Sequence, residues 1–258
     1  ELKEIGTTNK THLSDYENAI DENTSAFFKV HQSNFKILGF TESVSSFELN
    51  ELKEKYNIPI IEDLGSGVLI DLSKYGLCHE PTVQECIKNG VDIVSFSGDK
   101  LLGGVQAGII VGKKEYIQKM KKNQLTRALR VDKFTLSALE SVFSYYIDEE
   151  VAVSKIPTLN MLTISIEKLN EKAEKLIEYI SKSSEFEFEI ININSEVGAG
   201  SLPTQKFYTE NELEQKLRGY KIPIIARIYK GNLILDVRTI FENEFYIIKE
   251  AIESLIGE

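Results

Sequence analysis

The stretch DIVSFSGDKLLGGVQAGIIVG, residues 92–112, decides the fold. An apolar run ends at Ser95-Phe96 and opens into a polar, glycine-rich loop that holds a single lysine, Lys100, before a second apolar run begins at Gly108. Continuous rather than alternating apolarity marks strands buried on both faces, and so a mainly parallel α/β sheet. Open sheets of that kind bind ligands beyond the carboxyl ends of their strands, which is where Lys100 falls. A lysine held out of water there has its amine free for Schiff-base chemistry. A solvated lysine on a surface loop is the alternative. Ser95, Ser97, Gly98, Gly103 and Gly104 offer hydroxyls and unobstructed backbone N–H groups, the material of a phosphate-holding concavity.

Working outward, further strands are expected at Ala26–Val30 and Ile58–Ile61, beside those at Val91–Phe96 and Gly108–Val111. Thr82-x-x-Glu85 reads as a capping box and Gly90 as the left-handed stop of the same helix. Ser46, Leu49, Leu52 and Tyr56 define a second helix, halted by Asn57-Ile58-Pro59. Leu136, Leu139, Val142, Phe143 and Tyr146 define a third, after Asp132. Beyond a bend at Ile156-Pro157 a smaller α+β unit is expected. It comprises an amphipathic helix over Met161–Ser181, a strand over Phe186–Ile193, a turn at Gly198–Pro203, a short helix near Glu210–Leu217, a hairpin turned at Lys230-Gly231 and a last helix over Glu242–Ile256.

Composition bounds the class. The 258 residues carry a formal net charge of −10 with a pI near 5.1, which argues against a general basic surface for nucleic acid or anionic lipid. At 42% apolar and 27% charged residues, the chain is neither disordered nor a disulfide scaffold. Cys78 and Cys86 stand too far apart for a zinc or redox pair, so both are read as reduced thiols of a cytoplasmic protein, with no metal. No apolar run approaches the ~20 residues that span a bilayer. The chain starts at Glu1-Leu2-Lys3-Glu4 with no initiator methionine and no targeting leader, as a piece of a longer chain would.

Three further constellations carry chemistry. Asp63, in Ile61-Glu62-Asp63-Leu64-Gly65-Ser66-Gly67, follows an expected strand, and glycines such as Gly65 let a flat ring approach the backbone. An aspartate so placed is suited to a protonated pyridine nitrogen, although aspartate before glycine is also ordinary turn chemistry. Asp63 and Lys100 at the ends of two strands together suggest pyridoxal phosphate. Arg127 and Arg130, two of only five arginines, sit one helical turn apart and suit a bidentate oxyanion; a solvated helix start with Asp132 as partner is the alternative. His31 and Asn34 end another strand within reach of a cofactor ring, or His31 is structural. Asp99, beside the lysine, either assists proton movement or is a loop carboxylate. His12 and His79 show no partner pattern.

At the level of whole motifs, the segments KVHQSNFKILGFT, DLGSG, YGL-x-x-EPTV, SFSGDKLLGG-x-QAGIIVGKK, RALRVDK and GSLPTQ resemble bacterial selenocysteine synthase, the L-seryl-tRNA(Sec) selenium transferase family. The resemblance implies an α/β fold: part of a pyridoxal phosphate-dependent, aspartate aminotransferase-like large domain over residues 1–155, and a small C-terminal α+β domain over residues 156–258. It implies a covalent bond between Lys100 and pyridoxal 5′-phosphate, with Asp63 on the pyridinium nitrogen and Gly65, Ser97, Asn34 and His31 around the cofactor. It further implies selenophosphate held by Arg127 and Arg130, Asp99 beside the lysine, and conversion of seryl-tRNA(Sec) to selenocysteinyl-tRNA(Sec) through an aminoacrylate, in a homodimer or ring of dimers. Relative to full-length members an N-terminal portion is absent, including the tRNA-gripping domain, and Val105 replaces an expected proline. The rivals are a related lyase acting on a small amino acid or sugar phosphate, and a non-catalytic fragment.

Overall fold

Four strands form on the apolar runs: β1 (Phe27–Val30), β2 (Ile60–Gly65), β3 (Ile93–Ser97) and β4 (Gly108–Gly112), side by side in that order. The computed structural model describes residues 1–32, 37, 39–181, 188–190, 210–229 and 231–256. β1, β2 and β3 are parallel and β4 returns antiparallel to β3, so the sheet is mainly parallel, as expected. One row of the register crosses it through Val30, Asp63, Ser95 and Ile110. β2 begins after Pro59 and runs past Ile61, so Asp63 lies inside the strand rather than in a break after it. The ladder to Val30 and Ser95 on either side holds it there.

The two faces of the sheet differ. Phe27, Ile60, Leu64, Val94 and Phe96 are buried on one face against Leu49 and Leu52 of a helix, α2 (Ser46–Tyr56). This chain begins with α1 (Leu13–Asn18), before β1. The signals expected at Asn57, at Thr82 with Glu85 and at Gly90 act as read, and the structure adds a cap at Ser45. Ser45 caps α2 with Glu48, Asn57 closes it in the left-handed region at φ 55°, and Thr82 with Glu85 caps α3 (Val83–Lys88), which ends before Gly90 at φ +94°. After β4 come α4 (Lys114–Lys122), α5 (Leu125–Leu129), α6 (Lys133–Tyr145), α7 (Glu149–Lys155) and α8 (Pro157–Thr163). Asp132 caps α6 through the N–H groups of Phe134 and Thr135. On the other face, the side shared by Asp63 and Ser95, Phe28, Val30 and Ile110 remain exposed.

Two carboxylates lie within the covered side of this unit, a placement that only paired charges tolerate. Glu62, fully buried, meets Lys29 at 2.6 Å and accepts a 2.6 Å bond from the Ser46 hydroxyl. Asp92 accepts from the Ile60 N–H at 2.8 Å and pairs with Lys53 at 3.0 Å and Lys113 at 2.7 Å, tying α2, β2 and the end of β4 together.

The chain divides into two compact units: Glu1–Ser73 with His79–Leu159, and Lys74–Cys78 with Asn160–Glu258. In the second, α9 (Ile166–Ser181) presents Leu169, Ala173, Leu176 and Ile180 to Phe245, Ile248, Ala251 and Ile252 of the last helix. That core also takes Leu213 and Leu217 of α10 (Glu210–Arg218), near the hairpin of β5 (Arg227–Tyr229) and β6 (Asn232–Ile234) and before α11 (Phe245–Ile256). The single helix expected over Met161–Ser181 is two, α8 and α9, because Ser165 opens a new N-terminus, its hydroxyl accepting from the Lys168 N–H. The expected strand over Phe186–Ile193 lies largely outside the described residues, and Phe188–Ile190 are irregular. The expected turn at 198–203 lies outside them altogether.

Burial alone raises the Asp92 carboxyl, but the bonds from Lys113, the Ile60 N–H and Lys53 outweigh it and hold it below the ordinary 3.8. A depressed folded-state value adds stability that is present above the unfolded value and lost as pH falls through the folded one. Urea unfolding should therefore show stability falling below about pH 4. Asp92→Asn should remove about 3 kcal/mol at neutral pH and blunt that acid dependence.

Candidate active site

The site grows from the ends of β2 and β3. Asp63 accepts a 3.0 Å hydrogen bond from the Ser95 hydroxyl on the neighbouring strand, which orients its carboxylate along the open face of the sheet. The register of β2 against β3 shifts between Asp63 and Gly65, and Gly65 takes φ +68°, so the strand bends away directly after the aspartate. Gly67, at φ +74°, passes so close to β3 that a Cβ there would lie 2.4 Å from the Ser97 carbonyl oxygen. The Leu101 N–H then donates to the Ser66 carbonyl at 3.0 Å. The turn after β2 and the turn carrying Lys100 are thus joined backbone to backbone.

Lys100 and Asp99 project from that turn as exposed side chains. The desolvation expected around the lysine is not supplied, because the turn presents its side chain outward. Among the described residues no hydrogen bond or ion pair engages its Nζ. The expected phosphate concavity also fails. Gly98 donates its N–H to Ala107, Gly103 to Lys100 and Gly104 to Gly98, so these donors are spent inside the loop. The glycines answer to packing instead: a Cβ would meet Val105 O at 2.6 Å from Gly98 and Ile156 Cγ2 at 2.4 Å from Gly103. The Ser97 hydroxyl, half-buried at the end of β3, stays beside the turn.

His31 follows β1 on the same edge, its N–H donating to the Asp63 carbonyl at 2.8 Å. Its ring Nε2 lies 2.8 Å from Glu80 Oε2, a partner that spacing gave no reason to expect. The only trace of it in the sequence is the EPTV motif, whose glutamate carries no role until the fold brings it to β1. Asn34 lies outside the described residues. Arg127 lies in α5, and Arg130 caps that helix with its N–H on the Thr126 carbonyl. Both are exposed, with no ion pair among the described residues, and Asp132 is consumed in capping α6 rather than pairing with them. No hydrogen bond joins the arginines to Asp63 or to the lysine turn.

The two cysteines differ in their surroundings. Burial, aided by Glu62, pushes the Cys86 thiol up to about 12, and Cys78 is a free surface thiol. Among the described residues no cluster of His, Cys, Asp and Glu could hold a metal ion, and no helix is long and apolar enough to cross a membrane. A cavity of about 780 Å³ lies among Leu2, Tyr16, Ile20, Thr24 and Phe27 and contains none of the expected site residues.

An amine and an oriented carboxylate thus stand at the carboxyl edge of a mainly parallel α/β sheet, the edge at which sheets of this kind bind ligands. The fold agrees: the structure of D-glucosaminate-6-phosphate ammonia-lyase superposes with a TM-score of 0.69 at 20% identity, over 100% of this chain and 64% of that one. The model of the family described as SelA, L-seryl-tRNA selenium transferase, matches residues 1–241. The L-seryl-tRNA(Sec) selenium transferases of Clostridium perfringens and Alkaliphilus oremlandii are each 55% identical, over 100% and 99% of this chain. The chain belongs to the L-seryl-tRNA selenium transferase family. It spans 58% and 57% of the length of those two relatives.

The backbone seam gives a direct test. Gly67→Ala meets both a left-handed backbone and the Ser97 carbonyl, whereas Gly76→Ala, at φ +80° with open space around it, meets only the first. Thermal unfolding should show Gly76→Ala costing about 1–2 kcal/mol and Gly67→Ala clearly more. Equal losses would mean that the two turns are not in contact.

Proposed function

We propose that this chain supplies the cofactor and selenium-donor sites of an enzyme that uses pyridoxal 5′-phosphate and selenophosphate to convert seryl-tRNA(Sec) to selenocysteinyl-tRNA(Sec). The observation that carries this reading is the seam of β2 and β3, which sets the Ser95-oriented Asp63 carboxylate on the strand next to the Lys100 turn. The donor set fits the cofactor: a lysine amine able to bond its aldehyde, a carboxylate for its pyridine nitrogen, and at Gly65 a position without a side chain. Ser97 and His31 stand on the same strand edge, and Asn34 belongs to the same reading from sequence.

When bound, pyridoxal phosphate would supply an electron sink for the α-carbon of the serine. Asp63 would hold the proton on the ring nitrogen, which would deepen that sink. Lys100, with Asp99 beside it, would take the α-proton and return it. Arg127 and Arg130 hold the selenophosphate oxyanion in bidentate fashion. The overall change balances: the serine Cβ–O bond and the donor P–Se bond break, a Cβ–Se bond forms, and the oxygen lost by serine is matched by the one phosphorus gains on leaving as phosphate. The serine carboxylate is esterified to tRNA, so no arginine is needed to clamp it, and the pair is free to serve the donor.

In the same reading, residues 1–155 are part of the cofactor-binding domain and residues 156–258 a small C-terminal domain of a cytoplasmic enzyme. A homodimer or ring of dimers is supported by the exposure of Leu125, Leu129, Phe134 and Leu136 around the arginines, and of Phe28, Val30 and Ile110 beside Asp63. The net charge of −10 leaves most of the tRNA grip to surfaces outside this chain.

Mixed with pyridoxal phosphate, the chain should develop a visible absorbance band that Lys100→Ala abolishes; no band, or one that survives the substitution, overturns the reading. In an enzyme turning over seryl-tRNA(Sec), Arg127→Ala or Arg130→Ala should cut selenophosphate-dependent product at least tenfold and leave the band in place. Loss of both together, or preferential turnover of small amino acids, would contradict the assignment.

A further inference from the structure

We infer that Glu80 is a positioning residue that fixes the imidazole of His31 at the cofactor edge of the sheet. The inference rests on the pyridoxal phosphate reading for what the ring faces, and on the geometry of this chain for the pair itself. All three histidines meet carboxylates, but two do so as surface pairs: the side chains of His12 and Glu42 are 48% and 54% exposed, and His79 is 53% exposed beside Asp71 and Glu85 at 3.4 and 3.6 Å. His31 and Glu80 are 21% and 32% exposed and 2.8 Å apart.

Both members of the pair are tied to the sheet. The His31 N–H is on the Asp63 carbonyl. Glu80 precedes Pro81, which confines it to extended backbone, and Thr82 is the buried N-cap of α3, followed by a Val83 N–H bonded to the Val68 carbonyl. The carboxylate is therefore delivered by an anchored segment rather than a mobile loop, and the EPTV motif acquires a role beyond capping. A carboxylate can only accept, so the pair places the proton on Nε2 and leaves Nδ1 as the other ring nitrogen, with the ring plane held.

The test uses the whole 258-residue chain, labelled with ¹⁵N. Long-range proton–nitrogen spectra of His31 should show the Nε2–H form in the unaltered chain and in Glu80→Gln, whose amide oxygen still accepts, and a mixture of forms in Glu80→Ala with the rest of the spectrum unmoved. Pyridoxal phosphate titration should show Glu80→Ala weakening binding about tenfold, Glu80→Gln restoring most of it, and Glu80→Ala adding nothing in a His31→Ala background. An unchanged His31 tautomer in Glu80→Ala, or additive losses in the double variant, would overturn the inference. Failure of the unaltered chain to bind pyridoxal phosphate would instead sink the cofactor reading, and the tautomer spectra would still decide the role of Glu80.

Discussion

The site depends on one close approach, that of Gly67 to the Ser97 carbonyl. A side chain at Gly67 would overlap that oxygen, so glycine is what allows the turn leaving β2 to lie on the end of β3. The Leu101 N–H closes the seam on Ser66, and Lys100 hangs from the closed edge. Every position that carries chemistry in this reading of the sheet, from His31 to Asp63 to Lys100, is held to this edge by backbone hydrogen bonds. Side-chain pairing then sets direction, Ser95 for Asp63 and Glu80 for His31.

Strand β2 divides labour by parity. Glu62 points to the covered face, where Lys29 and Ser46 neutralise and bind it, and Asp63, one residue on, points to the open face. A one-residue slip would bury Asp63 and expose Glu62. Asp92 opposes such a slip by gripping the Ile60 N–H at the start of the strand while pairing with Lys53 and Lys113. Phe28, Val30 and Ile110, on the Asp63 face, stay exposed.

Much of this was legible in the residues. Continuous apolar runs marked all four strands, and Thr82, Glu85, Gly90, Asn57 and Asp132 ended or began helices as their chemistry requires. What local pattern could not supply was where each loop donor goes. Gly98, Gly103 and Gly104 look like a phosphate cradle until the fold shows their N–H groups spent on neighbouring carbonyls. Pairings across long sequence separations, such as His31 with Glu80 or Asp92 with Lys53, leave no periodic trace. The break at Ser165 was hidden by apolar spacing that runs through it.

A backbone seam, not a side-chain pocket, builds the edge of the sheet that carries Asp63 and Lys100. Native-state amide hydrogen exchange tests this most directly at Leu101 and His31, whose N–H groups bond to Ser66 and Asp63 across the seam and its neighbouring strand. Although Lys100 beside Leu101 is exposed, both amides should be protected nearly as strongly as those inside β2 and β3. Exchange of Leu101 and His31 at the rate of open loops, with the strands still protected, would contradict the account.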